Sequence, residues 1–229
     1  MSESRQDILD RVRRARGRGP LQARQRSPLE QRIKSHPRNL IPTRTNLSAS
    51  DTVDLLVTML QACDATVDRV ASLDDVPDAT NAFLRTHNLP ARITVSPDSD
   101  LDSIDWQRTP TLAVDRGLPD PKTTLTGVTG AHAAMAETGT LMLASGEGRP
   151  TTMNFLPDNH LVVLHADQVV GPYEDGWDRL RERVGPYGMP RTVNFITGPS
   201  RTGDIEQKLQ LGAHGPRRLH VILVEDGKV

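Results

Sequence analysis

Two short segments place ionisable and hydroxyl side chains among glycines, where a backbone can approach a ligand closely. In Ala136-Glu137-Thr138-Gly139-Thr140 one carboxylate stands beside two hydroxyls, a grouping suited to general acid/base work or to nucleophilic attack on an acyl group. The residues before it are good helix formers and Gly139 suits a helix end, so 131–137 reads as a helix with Glu137 in its last turn. A carboxylate there opposes the helix dipole, at a cost of roughly a few tenths of a kcal/mol. Glu137 is then either held for chemistry or bonded to the amides of a neighbouring loop. In Gly198-Pro199-Ser200-Arg201-Thr202-Gly203-Asp204-Ile205-Glu206 a strand end leads through a small-residue turn to a helix expected near Thr202 or Gly203. Its free amides, with Ser200, Thr202 and Arg201, would clamp a carboxylate or phosphate. Equally, Asp204 and Glu206 would satisfy the first helical turn while Arg201 pairs with a nearby acid.

The seven histidines form neither H-x-x-x-H nor H-E-x-x-H, and no metal site is expected from them. His165 and His220 lie in apolar runs and read as hydrogen-bonded core residues. His132, His160 and His214 fall in loops or at element ends near the glycine-rich segments, which makes His132 and His160 candidate acid/base groups and His214 a candidate anion contact. Known nucleotide motifs are missing: there is no G-x-x-x-x-G-K-[ST], and neither Gly127/Gly130 nor Gly146/Gly148 completes G-x-G-x-x-G. No G-x-S-x-G elbow occurs. The single cysteine, Cys63, cannot by itself make a disulfide or ligate an iron–sulfur cluster. It lies on an apolar stripe and reads as a buried structural thiol.

The elements that must position these residues alternate strand with helix. Ser50 caps an expected helix in which Val53, Leu56, Val57, Leu60 and Cys63 recur at helical spacing. Expected strands are 66–70, 92–95, 111–114, 139–144, 161–166, 192–197 and 218–224, with further helices at 79–88 and 175–184. Leu161-Val-Val-Leu and Leu219-His-Val-Ile-Leu-Val are continuously apolar, a sign of burial on both faces. An α/β fold follows, with an open, largely parallel sheet and helices on both faces. Ligands in such folds sit outside the carboxyl ends of the strands, and three loops rich in Gly and small polar residues invite attention, at 126–132, 144–150 and 198–206.

Composition narrows the class. The 229 residues are 36% hydrophobic and 25% charged, with three Phe, two Trp and two Tyr, so the core is built from aliphatic side chains and stacking platforms for bases are scarce. The net charge of −1 hides an asymmetry: residues 1–50 hold twelve Lys/Arg against four Asp/Glu, and the remainder sixteen against twenty-five. A basic arm at 1–45, with a short helix at 5–18 and an extended or mobile stretch at 19–46, therefore precedes an acidic domain at 46–229. The arm is expected to pack on that domain or on a second copy of it, with nucleic acid an unlikely partner. The start of the chain lacks the apolar core of a secretory signal and no stretch is long enough for a membrane span, which makes the cytoplasm the expected location.

The order of the segments carries a resemblance. Ala136-Glu-Thr-Gly-Thr-Leu141, Leu156-Pro-Asp-Asn-His-Leu-Val-Val-Leu164 with Val169-Val170, the 198–206 segment and Gly212-Ala-His-Gly-Pro-Arg-Arg-Leu-His-Val-Ile-Leu223 together resemble the LutC/YkgG family of LUD-domain lactate-utilisation proteins. Gly203 stands where Ala is usual. The resemblance spans roughly 46–225 and implies a fold of the kind shared by ribose-5-phosphate isomerase, glucosamine-6-phosphate deaminase and CoA transferases. It also implies a subunit of a multi-protein system oxidising L-lactate to pyruvate, binding a small organic anion. The iron–sulfur clusters would then reside in partner subunits, with no cofactor on this chain. The alternative is a self-sufficient isomerase or acyl/CoA-transferase working on a sugar phosphate or thioester through Glu137. A homo-oligomer is compatible with either.

Overall fold

A computed structural model describes residues 2–17, 21–185, 188–205 and 208–226, leaving aside the side chains of residues 2, 3 and 203–211. The chain divides into two compact units, Met1–Leu40 and Ile41–Val229. The first contains α1 (Ser2–Ala15) and α2 (Ala23–Ser35). Helix α2 corrects the expectation of an extended 19–46 stretch. Its Ala, Arg, Gln and Leu residues favour a helix, an Arg26–Glu30 pair at 2.6 Å spans one turn, and Pro28 is accommodated inside it at the loss of one backbone bond.

In the second unit α3 (Ala49–Ala62) is capped by Ser48, whose Oγ accepts from the Asp51 amide, two residues before the expected cap. The chain continues through β1 (Thr66–Val70), α4 (Val76–Thr86), β2 (Arg92–Val95), β3 (Ala113–Arg116), β4 (Thr126–Gly130), β5 (Ala133–Met135), β6 (Thr140–Ala144), β7 (Asn159–His165) and β8 (Val169–Val170). It closes with α5 (Tyr173–Val184), β9 (Val193–Ile196), β10 (Arg201–Ile205), β11 (Lys208–Leu211) and β12 (Arg218–Val224). Six strands form a parallel sheet in the order β1-β12-β7-β4-β2-β3. This is the open α/β architecture that the apolar runs predict.

Alternation along β7 and β12 shows why those runs are continuous. Val162, Leu164, Leu219, Val221 and Leu223 enter a core with Val53, Leu56 and Leu60 of α3. Leu161, Val163, Ile222 and Val224 enter a second core, on the opposite face, with Val76, Phe83 and Leu84 of α4. The α3 side is completed by a smaller sheet, β8-β5-β6-β9, which contributes Ala134, Leu141 and Leu143. Helix α5 packs beyond it through Leu180 against Ala133, Met135 and Met142.

Two expected helices are strands. Residues 131–137 form β5 and a turn, not a helix: Ala131 to Ala136 are all buried, and β5 pairs with β6 on one side and β8 on the other. Small side chains let this segment fit between packed layers, so burial overrides its helical propensity. A helix from Thr202 or Gly203 is likewise replaced by the antiparallel β10–β11 hairpin, closed at its base by the Gly212 amide donating to the Ser200 carbonyl at 2.9 Å.

Three histidines are buried within this framework. Desolvation is the first cause holding His132, His160 and His220 down to about 4. Below pH 6.5 the unfolded chain takes up protons that the folded chain refuses, so stability falls as pH falls, by up to about 1.4 kcal/mol per pH unit for each histidine. The urea midpoint is expected to drop between pH 7 and 5, and His160→Gln to flatten that drop by about one proton. Equal midpoints at the two pH values would contradict this.

Candidate functional site

Chain direction creates one place for a ligand. After β2 the chain turns to the α4 side, where Leu101, Ile104 and Trp106 join that core; after the adjacent β4 it turns to the α3 side through Ala131 and Ala134. Connections that leave neighbouring parallel strands for opposite faces open a crevice at the strands' carboxyl ends. A narrow cleft with about 20 Å³ of free space lies there, lined by Ser96 and Asp98 after β2, Thr129 and Gly130 of β4, His132, and Ser145, Arg149 and Asn154 beyond β6.

The walls are fixed by polar contacts. Asp98, 2% exposed, receives Arg149 Nε at 2.7 Å, and Arg149 Nη2 reaches Asp100 at 2.5 Å. Ser96 Oγ donates to the Gly148 carbonyl at 2.7 Å. Gly148 has φ +73°, and a Cβ there would lie 2.2 Å from the Pro97 carbonyl oxygen, so the 144–150 loop closes on β2 only with glycine. Thr129 Oγ1 is 2.8 Å from His160 Nε2, a contact that places His160 behind the cleft wall. His132 Nδ1 is 3.0 Å from Arg183 Nη1. Guanidinium can only donate, so Nδ1 accepts and the imidazole proton resides on Nε2, which is buried near the Arg179 backbone. After burial, the positive charges of Arg183, Arg179 and Arg149 are what keep His132 neutral, with its pKa at about 4.

The residues singled out from sequence do not gather in one place. His132 lines the cleft and His160 backs it. Glu137, Thr138, Gly139 and Thr140 form the β5–β6 turn instead of ending a helix. Glu137 Oε2 accepts from the Tyr173 amide at 3.4 Å, at the start of α5, in line with the loop-amide reading. Thr138, Thr140, Tyr173 and Thr197 join their hydroxyls at 2.6–2.9 Å. Gly139, at φ +66°, would bring a Cβ within 2.6 Å of the α3 backbone; its role is close packing.

Ser200, Arg201, Thr202 and His214 lie at the opposite end of the main sheet, beside the starts of β1 and β12. Arg201 donates to Asp64 at 2.8 Å and to the Cys63 carbonyl at 3.2 Å, tying down the end of α3 as the ion-pair reading anticipates. Thr202 pairs with Gln210, and Ser200 Oγ accepts from the His214 amide at 3.3 Å. The Asp204 side chain lies outside the described residues, as does Glu206. Cys63 is half-buried.

Missing from the sequence-based candidates are Ser96, Asp98, Thr129, Asn154, Arg149 and Arg183. The 144–150 loop carries a signal for Arg149, whereas Asp98 and Arg183 become visible only once β2 and α5 are placed.

The fold and the cleft define an open α/β domain with a small polar, cation-walled site at its switch point. A family model described as the LUD domain matches residues 122–224, from just before β4 to the end of β12, so this part of the chain is similar to LUD-domain proteins. It is 37% identical over 102 residues to lactate utilization protein C of Exiguobacterium sp., covering 44% of each chain. It is 35% identical over 101 residues to that of Geobacillus sp., covering 44% of this chain and 42% of the relative. The aligned stretch thus spans under half the length of these curated relatives. A crystal structure of a DUF162 family protein from Deinococcus radiodurans shares the fold, with a TM-score of 0.59 at 23% identity, covering 78% of this chain and 99% of that one.

Removing one partner of the Asp98–Arg149 pair leaves a desolvated charge, so Arg149→Ala is expected to cost about 3 kcal/mol or more in urea unfolding. The Asp98→Ala/Arg149→Ala double variant should lose less than the sum of the two single variants. Strict additivity would show that the pair is uncoupled.

Proposed function

We propose that this chain is the LutC-like subunit of an assembly that oxidises L-lactate to pyruvate, with the small organic anion held in the hollow that adjoins the switch-point cleft beside Arg183. The observation that carries the reading is the extent of the LUD match: residues 122–224 include Thr129, His132, Arg149 and Asn154 of the cleft lining, with Ser96 and Asp98 supplied from outside it, and Arg183 of the adjoining hollow. Supporting it are the relatives named lactate utilization protein C and the cationic surroundings of His132, which suit a carboxylate.

Turning lactate into pyruvate removes two electrons and two protons, so an acceptor is required. A chain with a single cysteine does not offer the thiolates of an iron–sulfur cluster, and no group of three potential metal-ligating side chains occurs among the described residues. The reading therefore assigns clusters to partner subunits and ligand binding to this one. Among the described residues no helix is long and apolar enough to cross a membrane, and the proposed setting is the cytoplasm. A self-sufficient isomerase or acyl-transferase acting through Glu137 has less support, because that carboxylate lies on the first amide of α5.

Lactate-dependent dye reduction, measured on the chain alone and on the chain co-expressed with its genomic neighbours, tests the reading. Activity is expected only in the assembly. Turnover by the isolated chain, or none in either preparation, would overturn it. Glu137→Gln is expected to keep at least half of the assembly's rate, since it weakens one helix-end contact worth about 0.5–1 kcal/mol; its abolition would favour the Glu137 mechanism.

A further inference from the structure

We propose that Arg183 is the carboxylate-binding group of the cleft, and that its ligand is a short 2-hydroxy or 2-oxo acid seated between Arg183 and Ser145 with His132 behind the guanidinium. This rests on the anion-binding reading given above and specifies which side chain performs it.

Three arginines face His132, and two are already committed. Arg149 is held by Asp98 and Asp100. Arg179 donates to the Asp167 carbonyl at 2.7 Å and lies 3.9 Å from its carboxylate. Arg183, among the described residues, has no carboxylate within ion-pair distance; its hydrogen bond is to a neutral imidazole nitrogen at 3.0 Å. A guanidinium has five N–H donors in a planar fork that matches a carboxylate bidentately. One bond to His132 leaves most of that fork open. Its place in the last turn of α5 accounts for a cation there but not for its turning onto a buried histidine.

Space exists beside it. A second hollow, lined by Ser99, Ser145, Glu147, Arg149 and Arg183, shares Ala144, Ser145 and Arg149 with the switch-point cleft. A carboxylate on Arg183 thus has the Ser145 hydroxyl within the same walls, while the rest of a short acid stays in this hollow. Long or bulky acids would meet the Arg149–Asp98 wall.

The arrangement links binding to protonation. Burial first, and then the positive charges of Arg183 and Arg179 on α5 and of Arg149 on the loop after β6, hold His132 neutral, while Asp100 and Asp98 attract Arg183. An anion on Arg183 cancels part of that positive field, so His132 becomes easier to protonate when the cleft is filled.

The test is calorimetric titration of the full chain with L-lactate, pyruvate and inorganic phosphate, beside NMR titration of the His132 ring. Saturable binding of lactate or pyruvate is expected, tighter than phosphate. Arg183→Ala should weaken it at least tenfold while the chain stays folded at the titration temperature, and Arg183→Lys should fall between, since ammonium lacks the fork. His132 should titrate at higher pH with ligand present, and this shift should vanish in Arg183→Ala. Unchanged affinity in Arg183→Ala, phosphate binding as tightly as the acids, or no saturable binding by the wild-type chain would each overturn the proposal. These measurements need no partner subunit. Binding through Arg183 without lactate oxidation by the assembly would overturn the assembly reading alone, and oxidation with Arg183-independent binding would overturn only this one.

Discussion

Strands β7 and β12 carry apolar side chains on both faces, and most of the structure follows from the need to cover both. On one face α4 and the 3-10 turns after β2 supply Val76, Phe83, Leu84, Leu101 and Trp106. On the other, α3 is too narrow to shield the sheet alone, and β5 and β6 add a layer that α5 then covers. Because the chain after β2 serves the first face and the chain after β4 the second, the two adjacent strands part company at their carboxyl ends. The cleft is therefore a by-product of double-sided burial, and its walls are whatever the two departing chains place there.

That origin explains which parts of the molecule were legible in the sequence. The strands at 66–70, 92–95 and 218–224 have the predicted limits, because β-branched and apolar runs between turn residues carry their own signal. The parallel, doubly covered character of the sheet is also visible, in runs that do not alternate. Strand β4 is the informative omission. Thr126-Gly-Val-Thr-Gly130 has the composition of a loop, yet it lies at the centre of the sheet, where Gly127 admits the Pro157 and Met153 side chains. The segment 131–137 errs in the opposite direction: alanine favours a helix locally, and only the position between two layers makes it a strand.

Site residues were legible as chemistry more than as geometry. The glycine-rich segments were sound signals of close approach, but the approach is to protein. Gly139 lies against α3 and Gly198 against the Cys63 carbonyl, while Arg201 and Glu137 secure the ends of helices. A motif long enough to identify a family can owe its length to packing requirements of this kind. His132 is the exception, since it follows β4 directly and reaches the cleft whatever the local structure of 131–137.

The cleft's electrostatics are unusual in their balance. A buried carboxylate, Asp98, is matched by Arg149, which removes the desolvation problem that an isolated charge would bring and fixes the loop from 144 to 150 against β2. Neutralised in this way, Arg149 contributes shape more than charge. Arg183 has no direct ion pair among the described residues; Asp100 and Asp98 attract it at longer range, and its neighbour is an imidazole kept neutral by burial and partly by Arg183 itself. A cation beside a base it suppresses is a poor arrangement for stability alone, because each would be better placed next to a carboxylate. A ligand anion is the group that would relieve both at once, and a guanidinium with no direct ion pair is one whose surroundings respond electrically when that ligand arrives.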